Sequence, residues 1–377
     1  MSGRERIEAA FSRDGAAQLP VVICYENVFI RDHWPQLTSC PWWYLQSPAP
    51  DRQEQWMRQV AARIGQDWIH FFPFCTADER ADLPLEERPD GVYRLDPGTG
   101  KAQQLSPPQV SGWTADARVE SVHLPQLPET FDQVDQLLRQ RYGEHSLGSA
   151  LRETASRLVE RLGGERFPHR HVSTPFWNTH ALWGFEGMMT LAGMRPDLVQ
   201  HACDQILTRT LAEVREFAAQ GVAGVWIEDC FTDLLSPAAF ATLNLPYIRR
   251  LVEEIRSCGM ISIYYYTGNP AGKWDLILSI GVDALSFEDS KKGFQVDIEV
   301  VADHLGGRCV LFGNLDVVGI LQDGSEAQLR DELHRQIRAG RKNRSRFIVS
   351  LGSPVTPDTP VERVRLYCDL AHELGAL

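Results

Sequence analysis

An α/β fold of the (β/α)8 barrel type is what this sequence predicts, on three observations. From about residue 200 onward, short apolar runs alternate regularly with helical segments. Each run is apolar on both faces, as strands of a parallel sheet covered by helices must be. About eight such runs occur in one chain of 377 residues, which suits a closed barrel better than a doubly wound sheet. No G-x-G-x-x-G or P-loop follows the first run, which removes the usual reason to prefer a dinucleotide-binding fold.

The elements follow in order. Leu19–Cys24 (LPVVIC) and Asp67–Phe74 (DWIHFFPF) read as buried strands, and Arg170–Thr174 leads into another. Gly91–Leu105, two alternating runs around Asp-Pro-Gly-Thr-Gly, predicts a β-hairpin excursion between barrel strands. The proline-dotted stretch Pro107–Pro128 is then a surface return. Five βα units come next. Gly224–Cys230 precedes a helix containing Tyr247–Cys258, Ile261–Tyr266 precedes Trp274–Ile280, and Ala284–Phe287 precedes Ile298–Leu305. Cys309–Phe312 precedes Glu326–Ala339, and Phe347–Ser350 precedes Val361–Leu374. Residues 1–377 are expected to form a single barrel domain.

Composition narrows the function classes. With 43% hydrophobic and 23% charged residues the chain can bury a large core. Its formal net charge of -12 argues against nucleic-acid or anionic-membrane partners, which need a basic footprint. No apolar run reaches the roughly 18 residues of a membrane span, and the opening MSGRERIEAAFSRDG is an amphipathic helix pattern rather than a leader, so a soluble, cytoplasmic protein is expected. The eight cysteines stand singly, without C-x-x-C, as reduced thiols acting as small core hydrophobes.

In such a barrel the site lies where the strands end. The predicted ends carry Tyr25, Glu26 and Asn27; His70 and Cys75; Glu228, Asp229 and Cys230; Tyr265, Tyr266 and Thr267; Glu288, Asp289 and Ser290; Asn314 and Asp316; Ser350 and Ser353. Several carboxylates at one mouth repel unless a cation or a shared proton offsets them, so Glu26, Glu228, Asp229, Glu288 and Asp289 point to a metal or a raised-pKa acid. Asp289, Ser290 and Asp316 fit helix N-caps equally well. Three tyrosines running into Thr267-Gly268 fit either a doubly buried strand ending in a turn or a site.

The stretch from Gly221 to Asn269, with GVDALSFED, RCVLFGNLD and the closing GSPVTPDTPVERV, resembles the uroporphyrinogen decarboxylase superfamily. The SP-x-x-F-x-x-x-x-LPY and FGN(L/V)D phrases carry the resemblance, which implies a (β/α)8 barrel. The decarboxylase branch has an arginine-rich MRQAGR segment after the first strand; this chain has VVICYENVFIRDHW there, with Arg31 displaced. Gly184, Glu186 and Met189 fall in a GFExxM phrase similar to the methyltransferase branch. Where that branch's thiol methyltransferases hold zinc with His-x-Cys-Gly and a later Cys, this chain has Tyr265, Thr267 and Ser353.

The resemblance therefore implies a methyltransferase moving a methyl group between a small donor and a thiol or a corrinoid protein. No D-x-H-x-x-G phrase occurs, so cobalamin would be carried by a partner protein. Implied catalytic residues are Glu228, Tyr265, Tyr266 and Glu288, and implied substrate contacts are Glu26, Asn27, His180, Thr267, Asn314 and Ser353. Either a divalent metal such as zinc falls to Glu228, Cys230 and Glu288, with Cys24 or Glu26 as further ligands, or no metal is used and the tyrosines position or protonate the substrate. A homodimer is a further expectation of the resemblance. Two alternatives stay open: a decarboxylase with Arg31 or Arg170 in its pocket, and a non-catalytic ligand-binding barrel whose rim acids scatter outward.

Overall fold

The structure is a computed structural model that describes residues 1–47, 49–71, 84–95, 99–108, 110, 126–142, 152–290 and 293–376. Its strands are β1 (Trp68–His70), β2 (Leu85–Arg88), β3 (Gly91–Leu95), β4 (Ala102–Gln104), β5 (Phe167–Ser173), β6 (Gly224–Asp229), β7 (Ile261–Tyr266), β8 (Ala284–Phe287), β9 (Val310–Phe312) and β10 (Phe347–Ile348). Seven of them form one parallel sheet in the order β1-β5-β6-β7-β8-β9-β10. Neighbouring strands are sequential apart from the hairpin excursion, as right-handed βα units require.

Residues 19–24 close the ring, by different means on their two edges. Towards β10 they form backbone hydrogen bonds, with Val22 N donating to Val349 O at 2.9 Å and Val349 N to Pro20 O at 2.8 Å. Towards β1 one backbone bond remains, Asp67 N to Val21 O at 2.9 Å. Side chains complete that edge: Val21 N donates to Asp67 Oδ2 at 2.8 Å and Ile23 N to Gln66 Oε1 at 2.9 Å. The predicted first strand is thus a closing segment held partly by borrowed side-chain acceptors.

Helices surround the barrel. Pro196–Ala219 packs on Leu245–Ser257, Ile298–Leu305 on Glu326–Lys342, and Glu326–Lys342 on Val361–Leu374. Pro50–Ile64 touches both Val361–Leu374 and Arg152–Leu162, which joins the first and last helical layers. Among the described residues no helix is long and apolar enough to cross a membrane.

Two expectations are extended. β5 begins at Phe167 rather than Arg170, its second residue being Pro168, which reads as a strand break. The excursion is three-stranded, with β2 pairing antiparallel to β3 and β3 to β4. Asp96–Gly98 of its turn, Cys75, and the far part of the predicted second strand lie outside the described residues.

The barrel floor is aromatic. Trp68, Trp226 and Phe312 meet across the axis with ring centroids 5.7–5.8 Å apart, and His169 stacks on Trp68 at 3.9 Å. Side chains two residues further along β6, β7 and β8 therefore face the open, C-terminal mouth.

Asp67 anchors the closing edge. Its buried carboxylate accepts from Arg6 Nη2 at 2.5 Å and from Val21 N, and lies 2.9 Å from His372 Nε2. Removing one partner of a buried, hydrogen-bonded charge set costs about 3–5 kcal/mol. Asp67→Ala is therefore expected to lose about that much in a denaturant titration; a loss under about 1 kcal/mol would show that the closing edge stands without it.

Candidate active site

Strand register brings four polar side chains into one row on the inner face. Ser173 pairs with Glu228, Glu228 with Tyr265, and Tyr265 with Ser286 across β5, β6, β7 and β8. The row below, His171, Trp226, Ile263 and Ala284, holds the floor. Strand alternation places Cys230, Thr267 and Glu288 one step above, at the mouth.

Glu228 is the centre of the row. Tyr25 OH donates to its Oε1 at 2.9 Å, Ser173 Oγ to its Oε2 at 3.2 Å, and Cys230 Sγ lies 3.9 Å from Oε1. The Tyr25 ring packs edge-on against His171, Trp226 and Tyr265. Burial, then the Glu228 charge, pushes the Tyr25 phenol well above its ordinary value, so it acts as a neutral donor. Tyr25 holds a left-handed backbone at φ 52°, a conformation nothing in its residue type announces.

Behind the row stands Asp229, fully buried on the outer face. Its carboxylate accepts from Thr174 Oγ1 at 2.7 Å, Thr232 Oγ1 at 2.9 Å, Asn244 Nδ2 at 2.7 Å and the Tyr264 hydroxyl. Burial pushes its pKa up to about 6, and the four donors work in the opposite direction. Asp229 builds the rim rather than facing the mouth.

The three tyrosines divide by strand alternation. Tyr265 points inward and donates to Gly352 O at 2.9 Å. Tyr264 points outward to Asp229, and Tyr266 points outward among Phe240, Phe287 and Tyr264, its hydroxyl on Asn269 O at 3.3 Å. The structure thus takes Tyr266 out of the catalytic set expected from sequence. The following Gly268 has φ 88°, its N–H donates to Glu288 Oε2 at 3.1 Å, and a Cβ there would meet the Asp233 carboxylate at 2.2 Å. Only glycine fits that turn.

The expected substrate contacts scatter. Glu26 accepts from His70 N and the Gln66 amide, and lines a small cavity against the helix Pro50–Ile64, outside the inner row. Burial raises its pKa to about 7. Asn27 keeps a buried Oδ1 without a partner among the described residues. Thr267 donates to Asp229 O at 3.1 Å, and Ser353 to Asp289 Oδ1 at 3.4 Å. Asn314 ties Val296 O at 2.7 Å and Glu288 O at 3.4 Å to Gln336, as a brace. Asp316 caps the following turn through Val318 N and Gly319 N. His180 lies on a different part of the rim, stacked on Trp177 at 3.6 Å with Nδ1 2.6 Å from the Trp177 carbonyl.

Glu228 and Glu288 both stand within electrostatic range of Cys230, burial and the Glu228 charge pushing its thiol up. They do not form a coordination set: among the described residues no three His, Cys, Asp or Glu side chains converge as a metal ion requires. The predicted metal ligands thus do not fit a resident metal.

Sequence reasoning placed Tyr25 at a strand end without giving it a role, and missed Ser173, Ser286 and the histidines inside β5. The period-two spacing of His169 and His171 was the available signal, since it puts both on one face. His70, His169 and His171 pack with centroids 4.5–5.3 Å apart.

A closed parallel barrel with its polar row at the C-terminal strand ends defines the (β/α)8 class with its site at the usual face. A family model described as uroporphyrinogen decarboxylase (URO-D) matches residues 105–374, and the chain belongs to that family. Uroporphyrinogen decarboxylase 2, chloroplastic, of Arabidopsis thaliana is 26% identical over 235 residues, covering 60% of this chain and 56% of that protein. The uroporphyrinogen decarboxylase of Crocosphaera subtropica is 24% identical over 355 residues, covering 87% of this chain and 93% of that one. The chain spans about half the length of the first curated relatives it matches, at 56%, 42% and 52%. A methyltransferase from Methanosarcina mazei shares the fold with a TM-score of 0.66 at 16% identity, over 99% of each chain.

Burial holds all three histidines below their ordinary pKa of 6.5, His171 at about 3. His171 is partly open towards the mouth, but its ring is wedged among His70, Tyr25 and Trp226, so loss of solvation dominates. Such groups take up protons preferentially when unfolded, so stability is complete above about pH 6.5 and falls as pH drops towards 3. Asp229 and Glu26, with raised pKa values of about 6 and 7, lose their stabilising protonation as pH rises through those values. Thermal midpoints are expected to peak near pH 6–7. His171→Asn is expected to recover about 2–4 kcal/mol of the acid-side loss; an unchanged acid limb would place that loss elsewhere.

Proposed function

We propose that this chain is a methyltransferase of the URO-D family, moving a methyl group between a small donor and a thiol or a corrinoid carried by a partner protein. The charge of the inner face carries the reading. Arg170 is the only Arg or Lys in residues 19–24 or the barrel strands, and it points outward, its guanidinium 4.4 Å over the Phe217 ring and 3.4 Å from Gln220 Oε1. Arg31 pairs with its neighbour Asp32 at 3.2 Å. A polycarboxylate tetrapyrrole needs guanidinium clamps, and among the described residues neither Arg31 nor Arg170 offers one to the inner row, where Glu228 stands. A methyl donor has no such requirement. The curated relatives carry decarboxylase names, but the lack of a described cation in the inner row favours the other branch. Both glutamates lie on inward positions, which counts against a barrel whose acids scatter outward.

In methyl transfer the nucleophile's electron pair bonds to the methyl carbon as the bond to the leaving atom breaks. Alignment and charge placement supply most of the catalysis. Glu228, fixed through both oxygens by Tyr25 and Ser173, is a stationary negative charge beside the reacting centre. The floor of Trp68, Trp226 and Phe312 keeps water from below.

Assays with methylcobalamin and thiols, alongside uroporphyrinogen, test this. Methyl transfer without decarboxylation is expected, with kcat/KM lowered about 10²–10³-fold in Glu228→Gln. Decarboxylation of the porphyrinogen with no methyl transfer to any thiol or corrinoid would overturn it.

A further inference from the structure

The rim above β5 and β6 carries side chains that methyl transfer by itself does not explain. Trp177, His180, Phe185 and Phe231 are half-buried and touch one another. Phe231 meets Trp177 edge-on at 4.9 Å and Phe185 at 4.8 Å, and Trp177 stacks on His180 at 3.6 Å. Phe231 directly follows Cys230, and its backbone is left-handed at φ 64°. Open aromatic rings thus sit at the same strand end as Glu228, whose described partners Tyr25, Ser173 and Cys230 are all neutral donors.

Aromatic rings and a carboxylate gathered at one strand end suit one kind of ligand: a cation with no N–H groups to satisfy, which ring faces and a negative charge stabilise together. An independent observation lies in the same row. Ser286 is fully buried on the inner face beside Tyr265, and its hydroxyl has no partner among the described residues. A buried hydroxyl without a partner is costly, so a polar ligand atom belongs there. Ser286 stands two strands from Glu228, roughly 10 Å between backbones, with both side chains directed towards the axis. A ligand only a few bonds long reaches both.

We propose that the mouth binds a methylated onium compound, a quaternary ammonium or a sulfonium, that also carries a hydroxyl or carbonyl group. The onium head lies between Glu228 and the rings of Phe231 and Trp177, and the oxygen meets Ser286. As the methyl donor, such a compound rests on the methyl-transfer reading above; as a ligand, it is tested by binding alone. Transfer from it balances without an acid. The acceptor's electron pair, on a thiolate or a reduced corrinoid, forms the new bond to the methyl carbon. The C–N or C–S bond breaks and its pair returns to nitrogen or sulfur, which leaves as a neutral amine or thioether. No proton need reach the leaving atom, in keeping with a Tyr265 hydroxyl already donated to Gly352 O at 2.9 Å.

Calorimetric titration of the full chain with choline and with its neutral carbon isostere, 3,3-dimethylbutanol, is the test. Choline is expected to bind at least about tenfold tighter than the isostere, and Phe231→Leu or Glu228→Gln to remove most of that preference. Ser286→Ala is expected to weaken choline about fivefold and leave tetramethylammonium, which lacks the oxygen, unchanged. Equal affinity of the unaltered protein for choline and the isostere, or no onium binding up to about 10 mM, overturns the proposal whether or not the variants fold. Choline binding with no methyl passed to any acceptor upholds this site and removes the transfer reading. Methyl transfer from a neutral ether with no onium binding does the reverse.

Discussion

The mouth of this barrel hangs from one buried carboxylate. Asp229 sits at zero exposure, a location that would be prohibitive for a lone charge, and four donors from four separate stretches of chain offset the cost. Each donor places something else. Thr174 also accepts from Trp177 N at 3.3 Å, starting the short helix that carries Trp177. Thr232 fixes the turn after Phe231. Asn244 sits where the helix Leu245–Ser257 begins, and Tyr264 locks β7 to β6. The Asp229 carbonyl adds Thr267, through its N–H at 3.2 Å and its hydroxyl. Glu228 inherits its aim from this arrangement, because its neighbour cannot rotate.

Strand alternation then sorts adjacent residues into opposite duties. In Glu228-Asp229 the first carboxylate meets the mouth and the second builds its wall. In Tyr264-Tyr265-Tyr266 only the middle ring enters the barrel. The same rule turns Arg170 away from the axis while His169 and His171 line it, so the one cation within the strands is spent on the helix Pro196–Ala219.

Much of the architecture was legible in the sequence for a physical reason: strands covered on both faces must be apolar throughout, and the helices between them are long enough to show. Ile298–Leu305 and Val361–Leu374 were readable to the residue. The segment 19–24 was legible as a strand but the means of its closure was not, because side chains of Gln66 and Asp67 replace part of a backbone ladder and leave no periodic trace. The start of β5 was masked by Pro168. At the site, acidity at the strand ends could be read, but face assignment needs cross-strand register, and register pairs residues as far apart as Ser173 and Ser286. Gly184 was readable as part of a phrase but not as a shape; its φ of 70° kinks the helix His180–Met194. The left-handed backbones of Tyr25 and Phe231 carried no signal, since such a conformation at a bulky residue is imposed by its surroundings.

Charge balance ties the floor to the mouth. Below Glu228 the three histidines are held neutral by burial, so they offer no positive charge from that side. Lys273, near the rim, spends its ammonium on Asp233 O at 2.8 Å. The hydrogen bonds Glu228 receives come from hydroxyls and a thiol, which orient a carboxylate without neutralising it. A fixed negative charge over an aromatic, water-poor floor is weakly screened. None of the described partners of Glu228 carries a positive charge, and the rings of Trp177, Phe185 and Phe231 gather at the same strand end. A half-buried carboxylate and aromatic rings sharing one strand end suit a cationic ligand, which both can stabilise at once.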